Sequence, residues 1–180
     1  MYKMDFVKLC LSKGAKKAEA IPVEKLILMP ELREFCEQNK CGRFGRNYTC
    51  PPYVGEKEEL IKKIKSYKIA IIWQNIYELE DSFDFEGMMD GQEKHNQMTL
   101  EIAEEAYQEM GRDKVLVLAA GGCTLCPACA SLTDEPCRNP GRALSSLEAY
   151  GINVAKIEEI SGLKYINGKD TVTYFSGLFM

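Results

Sequence analysis

Residues 121–141 read GGCTLCPACASLTDEPCRNPG. Gly, Pro, Asp, Asn and Thr recur too densely here for a helix or a strand to pass through the segment. It follows directly on KVLVLAA, an apolar run of strand length. The chain must therefore bury a strand that stops abruptly and gives way to a long irregular loop. That loop holds four of the eight cysteines, Cys123, Cys126, Cys129 and Cys137.

The rest of the sequence must supply a core around this loop. At 180 residues, 46% apolar and 28% charged, it has the size and composition of one soluble domain spanning residues 1–180. Asp5 to Lys13 has helical spacing, with Phe6, Leu9 and Cys10 on one side and Gly14 as its stop. AEAIPV is a short extended segment, and Pro30 starts a helical turn running to about Asn39. A helix is expected from about Lys57 to Ser66, followed by the strand-length run KIAIIWQNI. A long amphipathic helix over 92–110 places Met98, Ile102, Ala106 and Met110 at four-residue steps. KVLVLAA, apolar on both faces, has the pattern of a central parallel strand. GRALSSLEAYG predicts a short helix ending at Gly151. The tail, LKYINGKDTVTYFSGLFM, has an Asn-Gly turn between strand-like arms, the signature of a hairpin. Together these predict an α/β fold with a mixed central sheet, flanking helices, cysteine-bearing loops at one sheet edge and a C-terminal β-hairpin.

Several function classes lack their signatures. No apolar run is long enough to span a membrane, and the start, MYKMDFVKLCLSKGAKK, has no cleavage site of a secretory signal. A reducing cytosol is the expected compartment, where clustered thiols serve as metal ligands or redox groups. The first 66 residues carry 14 Lys and Arg against 9 Asp and Glu, a net +5, and the remainder carries 9 against 18, a net −9. The acidic surplus lies mainly between Glu78 and Glu109. No aromatic-interleaved basic stripe accompanies the positive half, so nucleic acid is not an expected partner. Solvated helix faces account for the charge, although the basic half could dock an acidic redox partner. There is no G-x-x-x-x-G-K-[ST] loop and no G-x-S-x-G elbow. GRFGRN lacks the strand and helix that dinucleotide binding requires. The C-x3-C-x2-C spacing of radical enzymes using S-adenosylmethionine is also missing.

The sulfurs carry the remaining chemistry. In Cys123-x2-Cys126-x2-Cys129, two intervening residues let a tight turn aim neighbouring thiolates at one site. Three close thiolates and a more distant fourth, Cys137, suit a 4Fe–4S cubane, in which each iron takes one cysteine. The first three match the bacterial ferredoxin run, but Cys137 follows after seven residues rather than three. Zinc is the alternative, although structural zinc more often uses paired C-x2-C knuckles. A second set lies in CEQNKCGRFGRNYTCPP: Cys36, Cys41 and Cys50. Cys50 heads a Pro pair that fixes its backbone, and Gly42 and Gly45 permit tight folding. Three thiols leave a fourth position to another cysteine, water or a small molecule, and an open position is where chemistry occurs at a metal. The two loops are expected to lie close in space. Cys10 has the place of a small core residue, and His95, the only histidine, that of a solvated side chain. Backbone amides of Gly121, Gly122 and Thr124 are candidate donors to the sulfurs. Arg138 and Arg142 could offset cluster charge or bind an anion.

The paired motifs CEQNKCGRFGRNYTCPP and CTLCPACASLTDEPCRNPGRALSSLEAYGINV resemble those of the uncharacterised predicted metal-binding proteins grouped as domain of unknown function 2284. By that resemblance Cys36, Cys41, Cys50, Cys123, Cys126, Cys129 and Cys137 fall at the family's cysteine positions, and Cys10 does not. The resemblance implies metal binding without a defined reaction, in a family common in anaerobes. The expected function is that of an iron–sulfur protein in electron transfer or activation of a partner enzyme, with a small molecule possible at an open metal site. A zinc-stabilised binding module without turnover is the alternative.

Overall fold

The structure, a computed structural model, describes residues 4–180; residues 1–3 of the N-terminal stretch lie outside the description. Helix α1 (Phe6–Ser12) starts where the Asp5 carboxylate accepts the Lys8 amide at 3.1 Å, and Gly14, at φ +107°, turns the chain out of it. Strand β1 (Lys17–Pro22) runs antiparallel to β2 (Ile69–Glu78). Between them lie the short helix α2 (Leu32–Glu37), the first cysteine loop and α3 (Lys57–Lys65). Then come α4 (Phe85–Met110), β3 (Leu116–Leu118), the second cysteine loop, the short helix α5 (Ile157–Ser161) and β4 (Thr171–Phe179).

The sheet order is β1-β2-β4-β3, and each named pairing is antiparallel. Alternation along the strands divides the core in two. Ile71, Trp73, Val117 and Leu178 face α1 and α4, meeting Phe6, Ile102, Ala103 and Ala106. Ala70, Ile72, Leu118, Phe175 and Phe179 face the opposite way, onto Leu60 and Ile64 of α3 and Leu147, Ile152, Ile157 and Leu163 of the later segment. Cys10 is fully buried in the first cluster, as its apolar position predicts.

The α/β class, the flanking helices and the cysteine loops at one sheet edge match expectation, and several details differ for physical reasons. KVLVLAA supplies only three strand residues, on the outside of the sheet and antiparallel to β4. Its burial comes from the clusters on both faces and from the loop that returns over its outer edge. The parallel component is confined to one bridge, Ala119 to Ser146. At the C-terminus one strand forms rather than two. β2 pairs with β4 along its whole length and β3 takes the other edge only at Gly177–Phe179, while the arm before the Asn167-Gly168 turn forms no strand. The helix expected in GRALSSLEAYG is a single 3-10 turn, Glu148–Tyr150, ended by Gly151 at φ +77°. Helix α4 begins at Phe85 rather than at 92. His95 is wholly buried rather than solvated.

Candidate metal centre

The first cysteine loop doubles back on itself. Cys36 lies near the end of α2. Asn39 then adopts φ +51° and its side-chain oxygen accepts the Phe44 amide at 3.0 Å. Further on, the Gly45 amide donates to Pro51 O at 2.8 Å, closing the loop toward Cys50. Gly42 and Gly45, at φ +72° and +67°, have the backbone freedom that these turns need. Cys36 and Cys50 are half-buried, and Cys41 is exposed. Burial pushes the Cys36 thiol up, the Arg33 guanidinium opposes this, and the neighbouring Cys41 adds to it. Burial likewise raises Cys50; the Thr49 hydroxyl and Arg43 pull it down, and Cys41 and Cys36 push it further up. The three thiols lie on one folded-back loop, and Arg33 and Arg43 act on Cys36 and Cys50 respectively.

The second loop leaves the sheet after β3. Ala119 donates to Ser145 O at 2.8 Å where the chain returns. Asn96 on α4 holds the next residue from both sides, donating to Ala120 O at 2.8 Å and accepting from Ala120 N at 3.0 Å. Gly121 turns at φ +72° against Gln92, where a Cβ would stand 2.5 Å from the Gln92 Nε2. Beyond it Cys123, Cys126, Cys129 and Cys137 line one small cavity, together with Asn139 and Arg138.

Donors face these sulfurs. Asn139 reaches two of them: its amide nitrogen lies 3.4 Å from Cys137 Sγ and its side-chain nitrogen 3.1 Å from Cys126 Sγ. Burial raises the Cys123 thiol, the Leu125 amide opposes that, and Cys137, Cys126 and Cys129 add to it. At Cys129 burial disfavours the thiolate, but the Ser131 hydroxyl and the backbone amides of Ser131, Tyr48 and Ala130 outweigh it. Cys129 therefore lies below the ordinary thiol range. Ser131 is 5% exposed, and apart from this approach to Cys129 its hydroxyl makes no hydrogen bond, so a thiolate at Cys129 would relieve its desolvation cost.

Four cysteines border one cavity, with Asn139 N–H groups turned on two of the sulfurs, a donor set that suits charged thiolate ligands of a metal. Among the described residues, no three His, Cys, Asp or Glu side chains are grouped to hold a single ion.

The two loops are fastened together. Arg43 donates to Cys123 O at 3.2 Å and Asn47 to the same oxygen at 2.8 Å, while Cys123 N donates to the Thr49 hydroxyl at 2.9 Å. The Tyr48 hydroxyl reaches Glu135 O at 2.7 Å. Arg43, Asn47, Thr49, Ser131 and Asn139 escaped sequence reasoning; their one signal is that they stand between or beside the cysteines.

The other expected residues are placed as follows. Gly122 is buried and packs against Cys50, where a Cβ would lie 2.7 Å from the Cys50 sulfur. Thr124 is exposed. Arg138 pairs with Glu135 at 2.9 Å and borders the cavity of the four thiols. Arg142 pairs with Glu104 at 3.2 Å. Arg142, Thr124, Glu93 and Gln97 line a second cavity of about 200 Å³ between α4 and the loop, and Cys123 borders both cavities. His95 lies apart from both thiol sets, in the core between α4 and the sheet.

No helix among the described residues is long and apolar enough to cross a membrane. Neither a curated protein nor a solved structure matches the chain. A family model does match, over residues 19–180, and that span takes in both cysteine loops. The chain belongs to the family of predicted metal-binding proteins known as domain of unknown function 2284.

Proposed function

We propose that the chain is an iron–sulfur protein that carries a 4Fe–4S cluster on Cys123, Cys126, Cys129 and Cys137 and moves electrons to or from a partner protein. The observation that carries this reading is the ring of four thiols around one cavity, with Asn139 donating to two of the sulfurs. Such N–H donors stabilise the added negative charge of a reduced cluster and raise its potential. Leu125, Tyr48 and Ala130 turn further amides on Cys123 and Cys129, and the buried Ser131 hydroxyl is turned on Cys129 as well. When bound, the cluster supplies one-electron chemistry. The chain's own residues hold it, orient donors to it and limit its contact with water.

The set Cys36, Cys41 and Cys50 is a second ligand set with a position left to a molecule other than these thiols. The cavity of about 200 Å³ beside Cys123 gives a small molecule room near the centre. Eight free cysteines suit a reducing cytosol.

The test is anaerobic purification with iron, zinc and acid-labile sulfide analysis. About four iron and four sulfide per cluster are expected, and Cys126→Ser should strip them from the second loop because one iron loses its thiolate. Stoichiometric zinc without sulfide would overturn this reading in favour of a zinc-stabilised binding module.

A further inference from the structure

The chain returning from the second cysteine loop meets the outer edge of β3 at a single bridge, where Ala119 N donates to Ser145 O at 2.8 Å. Backbone groups along a strand face its two edges alternately, so Val117 presents its amide to the same edge as Ala119. That amide makes no hydrogen bond among the described residues. The returning segment has splayed away from the strand there. The space between them is a cavity of about 260 Å³, walled in part by Leu116, Leu118 and Leu144.

The polar side chains around this cavity are short of acceptors. Tyr150 lines it and is only 8% exposed, yet its hydroxyl has no hydrogen-bond partner among the described residues. A donor buried in this way carries a desolvation cost that an acceptor on a ligand would relieve. Burial pushes the Tyr150 phenol up, and Tyr67 and Tyr107 add to it, so the group keeps its proton at neutral pH. Arg112 is held at two points: Nη1 donates to Gly141 O at 2.6 Å, and the guanidinium carbon lies 4.2 Å from the centre of the Tyr107 ring. Lys63, from α3, also borders the space. No Asp or Glu lines the cavity. Among the described residues, no carboxylate pairs with Arg112 or Lys63. A fixed guanidinium, an ammonium and a buried phenol beside an apolar wall suit charged oxygen atoms on a compact apolar body.

We propose that this cavity binds a small organic anion, a carboxylate or phosphate group on a compact apolar body. Its oxygens take hydrogen bonds from Arg112, Lys63 and Tyr150, and its body lies against Leu116, Leu118 and Leu144. The site goes beyond the iron–sulfur reading and does not rest on it, because no cysteine lines the cavity.

The experiment is isothermal titration calorimetry on the anaerobically purified full chain. The probes are benzoate and phenyl phosphate, with benzamide as the neutral counterpart of benzoate and inorganic phosphate as the anion without a body. One organic anion per chain is expected to bind, and benzamide at least about tenfold more weakly than benzoate. Arg112→Gln should weaken binding about tenfold, and Tyr150→Phe, which keeps the ring, about fivefold. Binding of benzoate alone, or of phenyl phosphate alone, supports the site and identifies its charged group. Benzamide bound as tightly as benzoate overturns the anion, and inorganic phosphate bound as tightly as phenyl phosphate overturns the apolar body. No binding of either organic anion, or binding that both variants leave unchanged, overturns the site. Should Arg112→Gln lose its cooperative urea transition, Tyr150→Phe still decides. Iron and sulfide are counted separately, so a chain without a cluster sinks the iron–sulfur reading and leaves this result standing.

Discussion

His95 has no solvent contact, and its two ring nitrogens are both engaged: Nδ1 lies 3.1 Å from Asn75 Oδ1 and Nε2 2.8 Å from Ser176 Oγ. The Asn75 amide nitrogen donates to Gly14 O at 2.9 Å, which turns its oxygen toward the ring. His95 Nδ1 must therefore carry the proton, and Nε2 accepts from the Ser176 hydroxyl. No carboxylate is bonded to the ring, and burial pushes the imidazole down to about 3. A histidine kept neutral in the fold, with an unfolded value near 6.5, stabilises fully above that value. The stabilisation is lost as pH falls toward 3, because the unfolded chain binds the proton first. Between pH 7 and pH 5 the loss amounts to about 2 kcal/mol. His95→Gln should lower stability at pH 7 through imperfect packing, yet lose about 2 kcal/mol less than wild type over that interval. Urea denaturation at the two pH values reads the difference, and parallel pH profiles would refute it. The burial of His95 was partly legible: Gly91, His95, Met98, Ile102 and Ala106 share one helical stripe. Its polar neighbours Glu93, Lys94, Asn96 and Gln97 pointed the other way. Its partners, 20 and 81 residues away, have no local signature.

At the scale of the element, α4 shows what a cap does for a helix whose first turns are poor in core contacts. Phe85 and Met89 are exposed, at 69% and 71%, so packing contributes little to that end. Asp84 supplies the missing organisation: its carboxylate accepts the Gly87 amide at 2.8 Å and the Glu80 amide at 3.1 Å. These two bonds hold its pKa below the ordinary carboxylate range. Asp84→Ala should cost about 1 kcal/mol and fray the helix ahead of Gly91, while Asp84→Asn should retain most of the stability. Hydrogen exchange at residues 85–90 checks this, and unchanged protection in the alanine variant would refute it. The early start was readable only as a cap residue before an acidic, weakly periodic stretch, a weaker signal than the apolar stripe from Met98 onward. Strand pairing was harder to read than helix existence. β4 was legible as a strand, but its two partners, β2 and β3, are set by tertiary contacts. The arm before Asn167-Gly168 forms no strand, although β3 covers only Gly177–Phe179 of that edge, so its local preference is overridden by tertiary context.

For the whole molecule, the sheet and the metal loops are built from different residues. The two apolar clusters contain none of the seven cysteines in the motifs; Cys10, whose thiol burial pushes up to about 12, is the one cysteine among them. The loops were legible from composition and spacing, and their meeting was expected because shared metal ligation would draw two cysteine loops together. The bonds that fasten them run between residues 74 to 87 positions apart and had no sequence signal. Those bonds join protein groups and need no metal. Metal removal should therefore leave the sheet folded, unlike small zinc domains that unfold without their ion. Under anaerobic chelation, far-UV circular dichroism and a cooperative urea transition are expected to persist. Amide exchange should rise in residues 36–55 and 121–146, where metal ligation by the proposed thiols would tie the backbone, and stay unchanged in β2, β4 and the middle of α4. Protection of the strands reports the clusters on the two faces, while protection of the loops reports the metal, so the two regions should respond separately. A metal-free protein that loses its cooperative transition would mean that the metal organises the fold itself, as a structural zinc module requires.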